Sequence, residues 1–137
     1  MNNKIIFLFF FFSSFSASAN MLHCTGNYLG QFPVSIVADL DAKRGTLKVN
    51  GITTHKSLIE TNRDGKFERY VFKDNNVNQT SCDFYGSGKC YNISYLIKSP
   101  MLFNENKFIW KYSSHSYGAK GFLSEDTAIN DLDCTKY

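Results

Sequence analysis

Residues 46–54 read TLKVNGITT, and this stretch decides the fold. Apolar and polar side chains alternate through it, and β-branched residues dominate on both sides of Asn50-Gly51. Asn-Gly between two such runs is the strongest short signal for a β-hairpin, because both residues tolerate positive φ. The stretch therefore predicts two antiparallel strands joined by a two-residue turn.

The rest of the chain repeats this pattern. Residues 34–40, 67–72, 91–97 and 108–112 form short runs rich in β-branched and aromatic residues, and Gly, Asn and Asp separate them. No period near 3.6 persists for three turns. With shorter runs at 121–123 and 132–134, the pattern predicts an all-β fold, a small antiparallel β-barrel or sandwich of about eight strands. The pattern does not decide between barrel and sandwich.

One short helix is predicted at residues 125–132. Ser124 is suited to cap it, and Glu125 and Asp126 suit the positive N-terminal end of a helix.

Residues 1–19 have the features of a signal peptide. Lys4 precedes an apolar run at 5–12, and Ala17-Ser18-Ala19 gives the small-x-small pattern that a signal peptidase accepts. The run is too short to cross a bilayer, which takes about 20 residues. We expect cleavage after Ala19, a single β domain over residues 20–137, a secreted or periplasmic location and no membrane span.

Four cysteines follow the predicted cleavage site, and an even number in an exported chain predicts two disulfides with three alternative pairings. We favour Cys82–Cys90, whose loop contains Gly86 and Gly88, together with Cys24–Cys134, which would join the two ends of the domain.

No metal, cofactor or nucleic-acid site is expected. No cysteine pair has C-x-x-C spacing, and residues 60–65 imitate the start of a calcium loop whose twelfth position would be Val71, so a turn explains them better. The formal net charge of +3 supplies no strong field for nucleic acid or anionic lipid. His23, His55 and His115 lie in no recognised catalytic pattern, and we expect the protein not to be an enzyme.

Residues 111–121 follow a predicted strand that contains Trp110 and are rich in Tyr, Ser and Gly. Tyrosine supplies rigid contact area, and Ser and Gly supply adaptable hydrogen bonds, as in a recognition loop. The candidate partner-binding residues in this stretch are Tyr112, Ser114, His115, Ser116 and Tyr117. A second candidate is the tip at 83–89, which contains Tyr85 and lies between Cys82 and Cys90.

Cys24-Thr25-Gly26, Cys134 and residues 116–120 are loosely similar to parts of the periplasmic lysozyme inhibitors of the small β-barrel type. The order of residues in the loop departs from the pattern of that family, and Trp110 precedes the loop instead of following it. No residue role is carried over from this resemblance.

These features predict an exported, non-enzymatic binding protein that engages another protein through surface loops, as an inhibitor or an immunity-type antagonist. One alternative is a lipocalin-like carrier, because eight strands enclose space for one small apolar ligand. The other alternative is a hydrolase whose catalytic residues are dispersed along the chain.

Overall fold

The computed structural model describes residues 20–75, 90–118 and 121–137. These residues form eight antiparallel strands that close into a barrel, in which neighbours in sequence are neighbours in the sheet. The strands are β1 (Met21–Tyr28), β2 (Phe32–Asp39), β3 (Arg44–Val49), β4 (Ile52–Asp64), β5 (Phe67–Asp74), β6 (Tyr91–Met101), β7 (Asn104–Gly118) and β8 (Gly121–Lys136). The all-β prediction is confirmed, and the fold is the barrel. The predicted signal peptide at 1–19 and the tip at 83–89, with Tyr85, lie outside the described residues.

The turn at Asn50-Gly51 forms as predicted. Val49 pairs with Ile52, and the two residues between them have φ of 47° and 84°. Positive φ at both central residues is what a two-residue hairpin of right-handed twist requires. We call the barrel end that carries this turn the 50–51 end, and the opposite end, which carries the β6–β7 turn, the 102–103 end.

The barrel closes where β1 pairs with β8. Leu22–Thr25 is the part of β1 in register with β8, and Cys24 lies opposite Cys134, to which it is disulfide-bonded. Gly26 allows a close approach here, because a Cβ at this position would lie 2.7 Å from Leu132 Cδ2. The predicted Cys24–Cys134 pair is therefore confirmed.

The second predicted disulfide falls partly outside the described residues. Cys90 is disulfide-bonded, whereas its predicted partner Cys82 lies outside the described part of the chain. The pairing Cys82–Cys90 stays a prediction.

Side chains fill the interior of the barrel, as is usual for eight strands. Tyr70 and Trp110 stack with ring centroids 6.3 Å apart. A Cβ at Gly45 would lie 3.1 Å from the ring of Phe72, so the glycine leaves room for that ring. The other large apolar residues of the core are Leu22, Val34, Ile36, Leu40, Leu47, Leu58, Leu96, Tyr112, Ile129 and Leu132.

The predicted helix at 125–132 is wrong, because these residues belong to β8. Tyr112 pairs with Ile129 and Trp110 with Leu132, so β8 has one more residue than β7 over this interval. This β-bulge keeps Ile129 and Leu132 both in the core although they are three residues apart.

The predicted recognition loop at 111–121 is also not a loop. Residues as far as Gly118 belong to β7, Gly118 pairs with Gly121, and β8 begins at Gly121. Residues 119 and 120 lie outside the described part. The candidate residues between 112 and 117 therefore lie in the wall of the barrel.

Removal of the β1–β8 disulfide tests how far the closure depends on it. The bond joins residues 110 positions apart, and chain entropy gives an upper value of about 4 to 5 kcal/mol for a loop of this length. We expect Cys24→Ala/Cys134→Ala to lower the free energy of urea unfolding by an amount approaching this value. Cys82→Ala/Cys90→Ala, which removes the shorter predicted loop, should cost about 2.5 kcal/mol. An equal loss in the two double variants would contradict this account.

Candidate functional site

The pleat of β7 divides the five predicted binding residues between two sides of the barrel. Tyr112 and Ser114 are buried in the interior. His115 and Tyr117 lie on the outer surface, beside aromatic residues of the neighbouring strands. Ser116 faces the same side as Ser114 and donates a hydrogen bond of 2.9 Å to Asn92 Oδ1. The predicted residues thus do not form one surface.

Five aromatic side chains form a continuous patch on the outer surface near the 50–51 end. We call it the aromatic wall, and it consists of Tyr91 and Tyr95 of β6, His115 and Tyr117 of β7 and Phe122 of β8. The rings of Tyr91 and Tyr117 stack 5.3 Å apart with planes 9° from parallel. Phe122 lies 5.9 Å from Tyr117 and 5.8 Å from His115. His115 in turn meets Tyr95 edge to face at 5.5 Å.

Polar groups border the aromatic wall. Lys73 Nζ lies 5.6 Å from the ring centre of Tyr91, within the range of a cation–π interaction. On the opposite border, His115 Nε2 lies 3.8 Å from Glu125 Oε2. A hydrogen bond with Tyr95 raises the pKa of Tyr117 above its ordinary value. The wall therefore combines apolar ring faces with hydroxyl groups and a charged border.

A chain of hydrogen bonds crosses the interior of the barrel. Lys56 is buried and forms an ion pair with Asp74 of β5. The same ammonium donates a hydrogen bond of 3.2 Å to Ser94 Oγ, which also accepts one of 2.9 Å from the hydroxyl of Tyr112. Buried charges are stable only when they are paired in this way. The candidate residue Tyr112 thus belongs to a structural network that joins β4, β5, β6 and β7.

The network continues to the surface at the 50–51 end. Asn92 Nδ2 donates a hydrogen bond of 3.3 Å to Asp74, and Asn92 Oδ1 accepts one from Ser116. The single hydroxyl hydrogen of Ser116 is shared between Asn92 and Asp126, and Asp126 also accepts a bond of 2.7 Å from Ser124. Within the described residues, every buried polar side-chain atom has a partner. These polar groups hold strands together, which is the function that their geometry supports.

A second charged cluster lies at the 102–103 end. Glu68 accepts hydrogen bonds of 2.7 Å from Tyr70 and 2.6 Å from Lys136. Arg63 Nε donates a bond of 3.2 Å to the hydroxyl of Tyr70. Burial raises the pKa of the Glu68 carboxyl, but the bonds from Lys136 and Tyr70 and the positive charges of Lys136 and Lys98 outweigh it, so the pKa lies below its ordinary 4.5.

Sequence reasoning missed both charged clusters and three members of the aromatic wall. One signal in the sequence could have indicated the buried ion pair, namely a charged residue at an inward position of an alternating strand. Lys56 is such a residue, because it lies between the half-buried Thr54 and the buried Leu58 on the same face of β4. Tyr91, Tyr95 and Phe122 were missed because strand pairing, and not proximity in sequence, brings them to His115 and Tyr117.

The barrel interior gives little support to a carrier. The aromatic rings of the core occupy it, and a hollow of about 350 Å³ is instead lined by residues such as Val37, Thr46 and His55, which form one cross-strand row. Val37 alternates with the buried Ile36 and Ala38, so this row faces outward.

Comparison with known proteins gives no match to a family model, a curated protein or a solved structure. Over the described ranges, no helix is long and apolar enough to cross a membrane. The same part of the chain contains no group of three or more His, Cys, Asp or Glu residues placed to hold a metal ion.

Lys56→Met tests the buried ion pair. The substitution leaves the carboxylate of Asp74 buried without its cation, and such a loss costs about 3 to 5 kcal/mol. We expect urea unfolding to show a decrease of this size. Lys56→Met/Asp74→Leu should recover most of it, since neither charge then remains buried. Lys48→Met, at an exposed position of β3, serves as the control and should change stability by at most about 0.5 kcal/mol. No recovery in the double variant would contradict the argument.

Glu68→Gln tests the charged cluster at the 102–103 end. A carboxyl whose pKa is lowered by folding stabilises the protein above the unfolded-state value near 4.5 and loses that contribution as the pH falls through the lowered pKa. We expect the wild type to be more stable than Glu68→Gln at neutral pH, and the difference to shrink on acidification below 4.5. Urea unfolding along a pH series measures this, and a constant difference would refute it.

Proposed function

We propose that this protein is a non-enzymatic binding protein that engages another protein through the aromatic wall. The observation that carries the proposal is the set of stacked aromatic side chains on the outer surface of a closed barrel. Phe122 is 59% exposed and Tyr91 is 38% exposed. Aromatic residues of this kind dominate the binding energy of protein interfaces.

The wall is also ordered before any partner arrives. Tyr117 contacts Tyr91 on one neighbouring strand and Phe122 on the other, so few rotamers are left to lose on binding. Reducing this entropy cost raises affinity without additional contacts. The border formed by Lys73 and Glu125 supplies charges that orient an approaching partner.

Surface binding fits the described geometry better than carriage of a ligand. The core rings of Tyr70, Phe72 and Tyr112 are each at most 2% exposed, and that of Trp110 is 9% exposed. A lipocalin-like carrier requires open space at these positions. The aromatic side chains on the outer wall do not contribute to this core, so their exposure calls for a different explanation.

An inhibitor or an immunity-type antagonist is the subclass that we propose. Such a protein presents a rigid surface to one partner, and the Cys24–Cys134 bond across the barrel seam limits deformation of the fold. The disulfide is compatible with action outside the cytoplasm, where such bonds persist. The partner is then expected to be an exported protein, with a secreted hydrolase or toxin as the first class to test.

Site-specific photo-cross-linking tests the proposal. A benzophenone side chain placed at Phe122 should trap one protein in the exported fraction of the source cells. The same group at Ile52, which is 73% exposed outside the wall, is the matched control and should not trap it. With the purified partner, Tyr91→Ala and Phe122→Ala should each weaken binding by about 2 kcal/mol. Ile52→Ala should leave the affinity unchanged.

Two results would count against the proposal. One is equal trapping from positions 122 and 52, which would indicate non-specific contact. The other is an unchanged dissociation constant after Tyr91, Tyr117 and Phe122 are all replaced by alanine. If the partner is an enzyme or a toxin, its activity in the presence of the wild-type protein shows whether binding is antagonistic.

A further inference from the structure

The β6–β7 turn exposes large apolar side chains at the 102–103 end. Phe103 is 97% exposed, Leu102 is 87% exposed and Met101 is 43% exposed. We call these three residues the β6–β7 tip. Other described residues leave Leu102 and Phe103 almost entirely uncovered. Phe67 of the neighbouring β4–β5 hairpin is 57% exposed, and an ion pair of 3.7 Å between Lys66 and Glu105 links the two hairpins.

Cations lie behind this tip. Lys98 Nζ is 4.6 Å from the ring centre of Phe108 and 5.8 Å from that of Trp110. Lys98 precedes Met101 by three residues, and a strand rises about 3.3 Å per residue, so its Cα lies about 10 Å behind Met101. Its ammonium lies over the ring of Phe108, which pairs with Pro100, and is therefore nearer the tip than its Cα. The polar interface of each bilayer leaflet is roughly 5 to 7 Å thick. A tip at the acyl boundary would thus bring Lys98 to about the level of the lipid phosphates.

The charges around the tip have the sign that an anionic bilayer attracts. Over residues 63–68 and 98–107 and at position 136, the cations are Arg63, Lys66, Lys98, Lys107 and Lys136, and the anions are Asp64, Glu68 and Glu105. This region therefore carries a net charge of +2, out of +3 for the whole chain. The net charge of the whole chain does not reveal that most of it is concentrated in this region. Basic residues held close to an anionic membrane surface attract it, and the attraction falls off within a Debye length.

A protein interface fits this geometry less well. A partner protein normally buries a broad patch with a packed centre, whereas Leu102 and Phe103 project from a two-residue turn. A narrow apolar projection with lysines behind it matches the layered polarity of a lipid surface, in which anionic head groups lie outside an apolar interior.

We propose that the β6–β7 tip inserts into the surface of an anionic lipid bilayer. Leu102 and Phe103 enter the acyl boundary, and Lys66, Lys98 and Lys107 contact lipid phosphates. The tip does not span the bilayer. The site is separate from the aromatic wall, and its function does not depend on the partner proposed for that wall.

Vesicle flotation of the oxidised protein tests this inference. The wild type should float with vesicles of phosphatidylglycerol and phosphatidylcholine in equal parts, and much less with phosphatidylcholine alone. Leu102→Ser/Phe103→Ser should reduce the partition coefficient by about tenfold or more, because the apolar contact is lost. Leu29→Ser/Ile52→Ser is the matched control, since these residues are 70% and 73% exposed at the opposite end, and it should float like the wild type.

A second pair of variants tests the electrostatic attraction between the lysines near the tip and the anionic lipid. Lys66→Gln/Lys107→Gln should weaken flotation and reduce its dependence on salt. Lys48→Gln/Lys111→Gln removes the same charge at exposed positions away from the tip and should have a smaller effect. Fluorescence of Trp110, the single tryptophan, confirms that each variant is folded.

Three outcomes would overturn the inference. The first is that the wild type does not float with the anionic vesicles. The second is that the partition coefficients of the tip variant and of its matched control decrease equally. In the third, the protein self-associates in the absence of lipid, the tip variant abolishes this association, and vesicles are not bound. That result would identify a second copy of the chain as the occupant of the tip.

Discussion

Closure of the barrel between β1 and β8 is the constraint on which the rest of the structure depends. An open sheet of eight strands would expose unpaired N–H and C=O groups on two edges, which invites aggregation. The closing pair is short, with Leu22–Thr25 of β1 in register with β8. The disulfide lies inside this short register, and hydrogen bonds between Met21 and Tyr137 of 2.8 and 3.0 Å extend it. Closure then determines which face of every strand is interior.

Local signals were sufficient for the fold class and for the Asn50-Gly51 turn, because a two-residue hairpin is specified by its own φ angles. They were not sufficient for residues 111–118, whose serines and tyrosines suggested a loop. Ser94 and Tyr112 are buried in spite of their hydroxyl groups because Ser94 accepts hydrogen bonds from both Tyr112 and Lys56, which lie on two other strands of the network. Such partners are far apart in sequence. The pattern of residues along the chain therefore shows that a side chain is polar, but not that a hydrogen-bond partner is available for it in the core.

The prediction of a helix at residues 125–132 was wrong for a related reason. Ser124 and Asp126 are suitable helix-start residues, yet an isolated helix of two turns is unstable because nucleation is costly. Pairing as β8 instead satisfies the outer edge of β7 and buries Ile129 and Leu132. The bulge that accommodates the extra residue also breaks the alternation that would have indicated a strand. The same non-local pairing explains why the sequence identified His115 and Tyr117 but not the remainder of the aromatic wall.

The long β6–β7 hairpin relates the two proposed surfaces to each other. β6 runs from Tyr91 and Tyr95 in the aromatic wall to Met101 in the β6–β7 tip. At about 3.3 Å per residue, Tyr95, the nearer of the two, is separated from Met101 by roughly 20 Å. This distance is more than two Debye lengths at physiological salt, where one is about 8 Å, so the charges at the tip are largely screened from the wall. A bilayer held at the tip would leave the wall on the outer side of the barrel near its far end, clear of the lipid surface. Because the β6–β7 hairpin carries the tip and four of the five residues of the wall, binding of lipid at the tip would leave the wall in the aqueous phase without blocking it.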